Sequence, residues 1–278
     1  MEPLARSYLY APGHRPEIVA KALAGEADVV VVDLEDSVPA DRKAAARESA
    51  VAALRALAPP ERARLHVRVN PIAGDVGRDD LRALAQAGPT TVRLPKVTGA
   101  DDVLAAAGLA GSELRLSCLL ESAAGVEHAY EIATAHPSVV AVGLGEADLR
   151  ADLGVRAEAA DAGLAYARSR VVVASRAAGL APPVQSVDPQ LSDLDALERS
   201  TRAGRDLGFF GRSAIHPSQV RVINAASLPS AAELDDARAL LDALADDAQG
   251  VLPDGRYVDA AVVEGARRLL AWAGAERR

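Results

Sequence analysis

Residues 114–154 read LRLSCLLESAAGVEHAYEIATAHPSVVAVGLGEADLRADLG. Two short, almost wholly apolar runs, 114–120 and 139–144, each break off into small and polar residues. The residues between them, near 124–135, have helical period, so the stretch reads as strand, helix, strand: one βα unit followed by the start of the next. A carboxylate stands at each strand exit, Glu121 after the first run and Asp148 after the second. Successive strands of a parallel barrel would set two such side chains side by side on one rim, as a hard divalent cation requires.

The same alternation extends in both directions. Val- and Leu-rich runs predict strands near 7–11, 29–34, 65–69, 91–95, 114–120, 139–144, 182–187 and 208–215. Helical period lies near 16–25, 40–58, 78–87, 100–107, 124–135, 156–179 and 190–206. Eight strands joined by seven helices, with apolar strands expected to be buried on both faces, predict an α/β fold, a (β/α)8 TIM barrel. VVVAS at 171–175 is β-branched, but the surrounding charge spacing and the closing Gly179, Pro182 and Pro183 favour helix. After Pro229 the pattern becomes two amphipathic helices, 231–246 and 259–273, separated by the turn-rich DDAQGVLPDGRY. Residues 1–228 therefore read as the barrel domain and 229–278 as a C-terminal helical extension, serving as a lid, an oligomer contact or both.

A chain of 278 residues is long enough for such a barrel. Its content of 50% hydrophobic and 25% charged residues excludes general disorder. The net charge is −8, no run of five Lys or Arg occurs, and aromatics make up only 3%. Nucleic acid is therefore not an expected partner. The single cysteine, Cys118, lies inside an apolar run and reads as a core residue suited to a reducing compartment. With no signal peptide and no apolar run near the roughly 20 residues of a membrane span, a soluble cytoplasmic protein without membrane contact is expected.

On the barrel reading, residues just after each strand line the active face. The first strand leads to Gly13, His14 and Arg15, and the second ends in Asp33, Glu35 and Asp36. The third carries Arg68 and Asn70, the fourth ends in Pro95-Lys96, and the fifth in Glu121-Ser122. Gly145, Glu146 and Asp148 follow the sixth, and His216-Pro217 the eighth. Several of these also suit plainer uses. Asp36 and Ser37 could cap a helix beginning near Pro39, and Asn70-Pro71 is a turn signal. Lys96 suits a solvated loop, and His216 a hydrogen-bonded structural histidine. As a set, acids on three exits facing Arg68 on a fourth suit a cation and an anionic substrate. Oxygen donors without a His or Cys cluster favour Mg2+ or Mn2+ over zinc, and two carboxylates leave octahedral positions open for water and substrate.

The exits also carry a resemblance. RSYLYAPGHRP, KALAGEADVVVVDLEDSV, HVRVN, RLPKV, LLESAAG, VGLGEADLRADLG, GFFGRSAIHPSQV and DGRYVD follow in order from about Arg6 to about Asp259. Together they resemble the citrate lyase β-subunit-like branch of the HpcH/HpaI aldolase family, which includes malyl-CoA and citramalyl-CoA lyases. The resemblance implies a (β/α)8 barrel assembled as a homotrimer, with Mg2+ as cofactor and acyl-CoA and a 2-oxo acid as substrates. It implies Glu121 and Asp148 as metal ligands and Arg68 as the catalytic arginine on the substrate's oxygens. Asp33, Glu35 and Asp36 would hold metal-bound waters or orient Arg68. Pro95, Lys96 and Gly145, with Arg68 and Glu121, would face the substrate. Asp259 aligns with the family's C-terminal acid/base, carried on a segment that closes over a neighbouring subunit's site.

The expected activity is a Mg2+-dependent carbon–carbon lyase or synthase acting on a β-hydroxyacyl-CoA of malyl, citramalyl or citryl type. Readings that share the site are a citrate lyase β subunit using an acyl-carrier-protein thioester, a malyl-CoA thioesterase, and a CoA-independent pyruvate aldolase. A non-catalytic metal-binding barrel is the reading from a different class. Arg68→Ala or Asp148→Ala is expected to abolish activity while leaving the fold intact. One departure stands out: Gln185 replaces an acid common in the seventh strand of relatives, which matters if it faces the pocket.

Overall fold

The computed structural model describes residues 4–111, 113–244, 249–252 and 255–275. Two compact units divide the chain, one of residues 5–224 and one combining the N-terminal residues before Ala5 with 225–278.

The larger unit is built on seven parallel strands. They are β1 (Ser7–Pro12), β2 (Val29–Asp33), β3 (Leu65–Arg68), β4 (Thr90–Leu94), β5 (Leu114–Leu120), β6 (Val139–Leu144) and β7 (Arg212–Ala214). They lie in the order β6-β5-β4-β3-β2-β1-β7, with helices between them in sequence. The sheet curls on itself. Arg93 on β4 reaches the Tyr10 hydroxyl on β1 at 3.0 Å and the Ser213 hydroxyl on β7 at 3.4 Å, although β3 and β2 separate β4 from β1 in the sheet. The architecture is an α/β barrel.

Two of the expected strands are altered. The run near 182–187 forms no ladder and contributes a single parallel bridge, Gln185 to Arg212. Its bonds toward β7 are Gln185 N–H to Gly211 O at 3.0 Å and Ser213 N–H to Gln185 O at 2.9 Å. Toward β6, the Ser186 hydroxyl donates to Leu144 O at 2.6 Å and accepts from Glu146 N–H at 3.3 Å. Pro182 and Pro183 carry no N–H, so the segment lacks the donors a ladder needs, and a side chain bonds where backbone would. The strand expected over 208–215 shrinks to Arg212–Ala214. Gly211 before it has φ +75°, and a Cβ there would lie 2.5 Å from Ala5 O. Only glycine fits that turn.

Apolar burial on both faces holds for β2, whose Val29, Val30, Val31 and Val32 are all buried; the other strands alternate in face, which corrects the expectation there. Leu9, Ala11, Val30, Val32, Val67, Val92, Leu94, Leu116, Cys118, Leu120, Val142 and Leu144 join helix residues in one apolar cluster. The opposite parity, matched by register, runs Tyr8–Val29, Val31–His66, Asp33–Arg68, Arg68–Arg93, Arg93–Ser117 and Ser117–Ala141. This inward face is largely polar. The apolar layer thus lies between sheet and helices, and the barrel interior is left for polar groups.

The helix expected over 156–179 is broken into a 3-10 turn, a short helix Ala160–Gly163 and the helix Ala165–Ala177, which covers VVVAS. Three helices not expected from the sequence are the single turn Pro59–Arg62, Glu146–Leu153 and Pro217–Ala226. In the smaller unit, helices Ala231–Leu244 and Ala260–Ala275 flank an antiparallel pair, Gly250–Val251 with Tyr257–Val258. Leu244, Leu252, Val258 and Val263 form its apolar cluster. The last two residues of the helix expected over 231–246 lie outside the described residues, as does part of the turn at 246–257. Among the described residues no helix is long and apolar enough to cross a membrane.

Candidate active site

The site grows from the end of β2. Asp33 closes that strand at 2% exposure, and its oxygens accept Glu35 N–H at 3.0 Å and Ser37 N–H at 3.1 Å. The chain crosses closely here: Gly13 N–H donates to Asp33 O at 2.8 Å, and a Cβ on Gly13 would meet Leu34 Cδ2 at 2.7 Å. Asp33 also receives both edges of Arg68, Nε at 2.7 Å and Nη2 at 2.8 Å. Burial pushes the Asp33 carboxyl up, but the Arg68 fork outweighs it and the net direction is down. Arg68 Nη1 meets Asp36 at 3.1 Å and Glu35 at 3.0 Å. Burial works against the Arg68 charge, and the bonds to Asp33 more than restore it. Asp33, Glu35 and Asp36 therefore all contact Arg68. Asp36 does not cap the following helical turn, whose N-cap is Pro39.

Glu35 has a second cation. Lys96 Nζ lies 3.3 Å from its Oε1. Neither Arg68 nor Lys96 is aligned with Glu35 as a hydrogen bond, so both of its buried oxygens lack an aligned donor among the described residues. Lys96 follows buried Pro95 and holds φ +56°, the one non-glycine described residue in the left-handed region. Backbone held so, at a cost of about 1 kcal/mol, recurs at sites where a side chain must be aimed.

Glu121, at 6% exposure, follows β5, and its Oε2 has no hydrogen-bond partner among the described residues. Burial first, then the charges of Glu35 and Asp148, push its carboxyl up to about 8. Asp148 is exposed in the first turn of the Glu146–Leu153 helix. Between them sits Gly145, where a Cβ would fall 2.4 Å from Glu121 Cγ. The rim thus joins Asp33, Glu35, Asp36, Arg68, Lys96, Glu121, Gly145 and Asp148.

A divalent cation suits this chemistry. The donors are carboxylate oxygens, one of them buried and unpartnered, crowded enough that one proton is retained near neutral pH. Among the described residues no three His, Cys, Asp or Glu side chains form a closed metal cage. A hard cation that keeps several waters needs only one or two protein carboxylates.

Other candidates lie elsewhere. Gln185 donates to Thr201 O at 2.8 Å and packs so closely on Gly204 that a Cβ there would touch it at 2.1 Å. It faces the Leu194–Asp206 helix and not the pocket. Glu146 is taken by Arg168 at 2.8 and 2.7 Å. Asn70 is held by Asp80 at 2.7 Å, His216 by Ser218 at 2.8 Å, and Arg15 by Glu17 at 2.9 Å. Asp259 lies in the smaller unit, exposed at the N-terminus of the Ala260–Ala275 helix, where it accepts Val262 N–H at 3.0 Å.

Sequence reasoning missed Lys43. From the N-terminus of the Lys43–Ala56 helix it donates to Leu34 O at 2.8 Å and also to Glu35 O, pinning the acidic turn. A lysine in a first helical turn opposes the helix dipole, and that misplacement was the available signal.

The sequence pattern of the HpcH/HpaI aldolase/citrate lyase family matches residues 6–217. The chain belongs to this family. It is 36% identical over 274 residues to a (3S)-malyl-CoA thioesterase of Cereibacter sphaeroides, spanning 97% of this chain and 95% of that one. Identity to a citrate lyase subunit beta-like protein of Deinococcus radiodurans is 38% over 278 residues, with 96% of each chain covered. Among solved structures, CitE of Mycobacterium tuberculosis in complex with magnesium, acetoacetate and coenzyme A superposes with a TM-score of 0.81. That pair shares 34% identity over 98% of this chain and 99% of the other. The superposition shows that this chain shares its fold with that structure over nearly its whole length.

Proposed function

We propose that this protein is a Mg2+-dependent carbon–carbon lyase or synthase that interconverts a β-hydroxyacyl-CoA with an acyl-CoA and a 2-oxo acid. The observation that carries the reading is the rim itself: an arginine clamped by Asp33, Glu35 and Asp36 beside Glu121, whose buried Oε2 is open. Glu121 and Asp148 would hold the metal ion, which when bound supplies Lewis-acid polarisation of the oxo acid's carbonyl.

The chain's own groups do the rest. Arg68 gives one hydrogen each from Nε, Nη1 and Nη2 to Asp33 and Asp36, and its second Nη2 hydrogen is available to the carbonyl oxygen as it gains negative charge. A guanidinium already fixed on Asp33 loses little entropy when it makes that bond. Asp259 is the proposed acid/base. It would remove the proton α to the thioester; the carbanion then attacks the carbonyl carbon, the C=O π pair moves to oxygen, and that alkoxide takes a proton from water to give the β-hydroxyl. In cleavage the hydroxyl gives its proton to water, the carbon–carbon bond breaks as the carbonyl re-forms, and Asp259 returns its proton to the acyl-CoA carbanion. Lys96, Pro95 and Gly145 would face the acyl and oxo-acid groups. The reading carries with it a cytoplasmic homotrimer in which the segment after residue 228 acts as lid and subunit contact.

Thioester hydrolysis is the second reading, favoured by the identity to the malyl-CoA thioesterase over nearly the whole chain. Incubation with Mg2+ and malyl-, citramalyl- or citryl-CoA separates them. A lyase releases a shorter acyl-CoA and a 2-oxo acid, and a thioesterase releases free CoA. No turnover of any of the three would refute both.

A further inference from the structure

Beneath the rim lies a second arginine, the first residue of the RLPKV run, that the proposed chemistry does not use. Arg93, at 3% exposure on β4, is the direct register partner of Arg68 on β3, so the two guanidinium groups rise from adjacent inward positions. Arg68 has three carboxylates; Arg93 has none among the described residues. Its Nη1 donates to the Tyr10 hydroxyl at 3.0 Å and to Ser213 Oγ at 3.4 Å, and its Nε has no partner. Its remaining contacts are aromatic faces, with Cζ 4.7 Å from the Tyr8 ring centroid and 5.6 Å from that of Tyr10.

A buried cation without a counter-ion is a poor way to fill a core, and an apolar side chain of similar volume would cost less. Tyr10 shows what it could be for. Its ring carries Arg93 at one distance and Arg68 at another, the Arg68 Cζ being 5.1 Å from the centroid. The ring is thus a shelf for the Arg68 guanidinium, and the hydroxyl of that shelf is held by Arg93. Asp33 fixes one edge of Arg68 through two parallel bonds, and Asp36 and Glu35 meet its Nη1, so the acids hold the group from its edges. Contact with the ring face adds a restraint on its tilt, which edge-on partners supply least.

We propose that Tyr10 and Arg93 are positioning residues for Arg68: Tyr10 sets the plane of its guanidinium, and Arg93 anchors Tyr10 through the phenol oxygen. The proposal rests on Arg68 being the catalytic arginine of the reaction proposed above. A misplacement of about 1 Å in such a group costs up to roughly 100-fold in rate.

The test uses the full-length protein with Arg93→Met, Tyr10→Phe and the double variant. Arg93→Met conserves volume and removes an unpaired buried charge, so its melting temperature should stay equal or rise. Its kcat should fall 10- to 100-fold with little change in KM. Tyr10→Phe keeps the shelf and loses only the anchor, so it should slow turnover about as much. The double variant should be no slower than Arg93→Met, because the hydroxyl and the guanidinium act as one unit. A merely structural role would lower the melting temperature and leave kcat per folded molecule unchanged. A crystal structure of Arg93→Met gives a readout independent of turnover, and should show Arg68 displaced from its two-bond geometry on Asp33. An unmoved Arg68, a kcat within twofold of wild type, or effects that multiply in the double variant would each overturn the proposal. If the wild type turns over none of the thioesters, the functional reading has failed, and the crystal structure still decides this one.

Discussion

Replacing Glu121 by glutamine exchanges one oxygen for an amide in a side chain that is 6% exposed. In the folded protein without metal this carboxyl holds its proton up to about 8, against an ordinary value of 4.5. Folding therefore takes up a proton between those two values. The stability this group contributes is complete below 4.5 and is lost as pH rises through about 8. Glutamine has no proton to lose. Relative to Glu121→Gln, the wild type should forfeit about 1.4 kcal/mol per pH unit in this window. The whole window amounts to about 5 kcal/mol in a dry site, and about half that once water relaxes around the rim. At about 2–4 °C per kcal/mol, the halved figure is a melting-temperature gap of roughly 5–10 °C. Thermal unfolding of both proteins in chelator, from pH 5 to 8.5, measures it. The two curves should lie close at pH 5 and separate steadily, with the variant above. A gap that is constant across the series would show that Glu121 is not held protonated by its surroundings. Adding Mg2+ at pH 8 should then raise the wild type and leave the variant unmoved.

Further outcomes follow from single contacts. Arg68→Ala should abolish turnover and also destabilise by about 3–5 kcal/mol, because Asp33 is left buried and unpaired; this revises the sequence expectation of an intact fold, and chemical denaturation measures it. Gly145→Ala should weaken Mg2+ binding at least tenfold by titration calorimetry, since the added methyl occupies the space of Glu121 Cγ. Asp259→Asn should lower kcat by 100-fold or more while shifting stability by less than about 1 kcal/mol, because asparagine caps the Ala260–Ala275 helix as well as aspartate does. Unchanged turnover in that variant would remove Asp259 from the reaction.

Much of the site was legible because barrel chemistry collects where apolar runs end. Asp33, Arg68, Glu121 and Asp148 each follow or close such a run, so strand ends alone place them on one rim. Tyr10, Arg93 and Lys43 escaped for different reasons. Tyr10 and Arg93 sit within strands, where they read as ordinary members of an apolar stretch until alternation is tracked across neighbouring strands. Lys43 sits in a helix whose first turn bonds to a loop eight or nine residues earlier.

The order of strands and helices, the parallel barrel and the acids at its exits were determined by the sequence itself, since they depend on local periodicity and on where it stops. Which acids hold Arg68, which carboxylate stands unpartnered beside them, and which polar residues fill the barrel depend on register between strands far apart in the chain. The seventh strand shows the difference most plainly. PVQSV at 183–187 has the composition of a strand, yet its pairing needs donors that two prolines withhold, and Ser186 closes that gap with a hydroxyl. Gln185 likewise has one composition and two possible faces. Only the packing of Gly204 against it turned it away from the pocket, because a side chain goes where a neighbour leaves room.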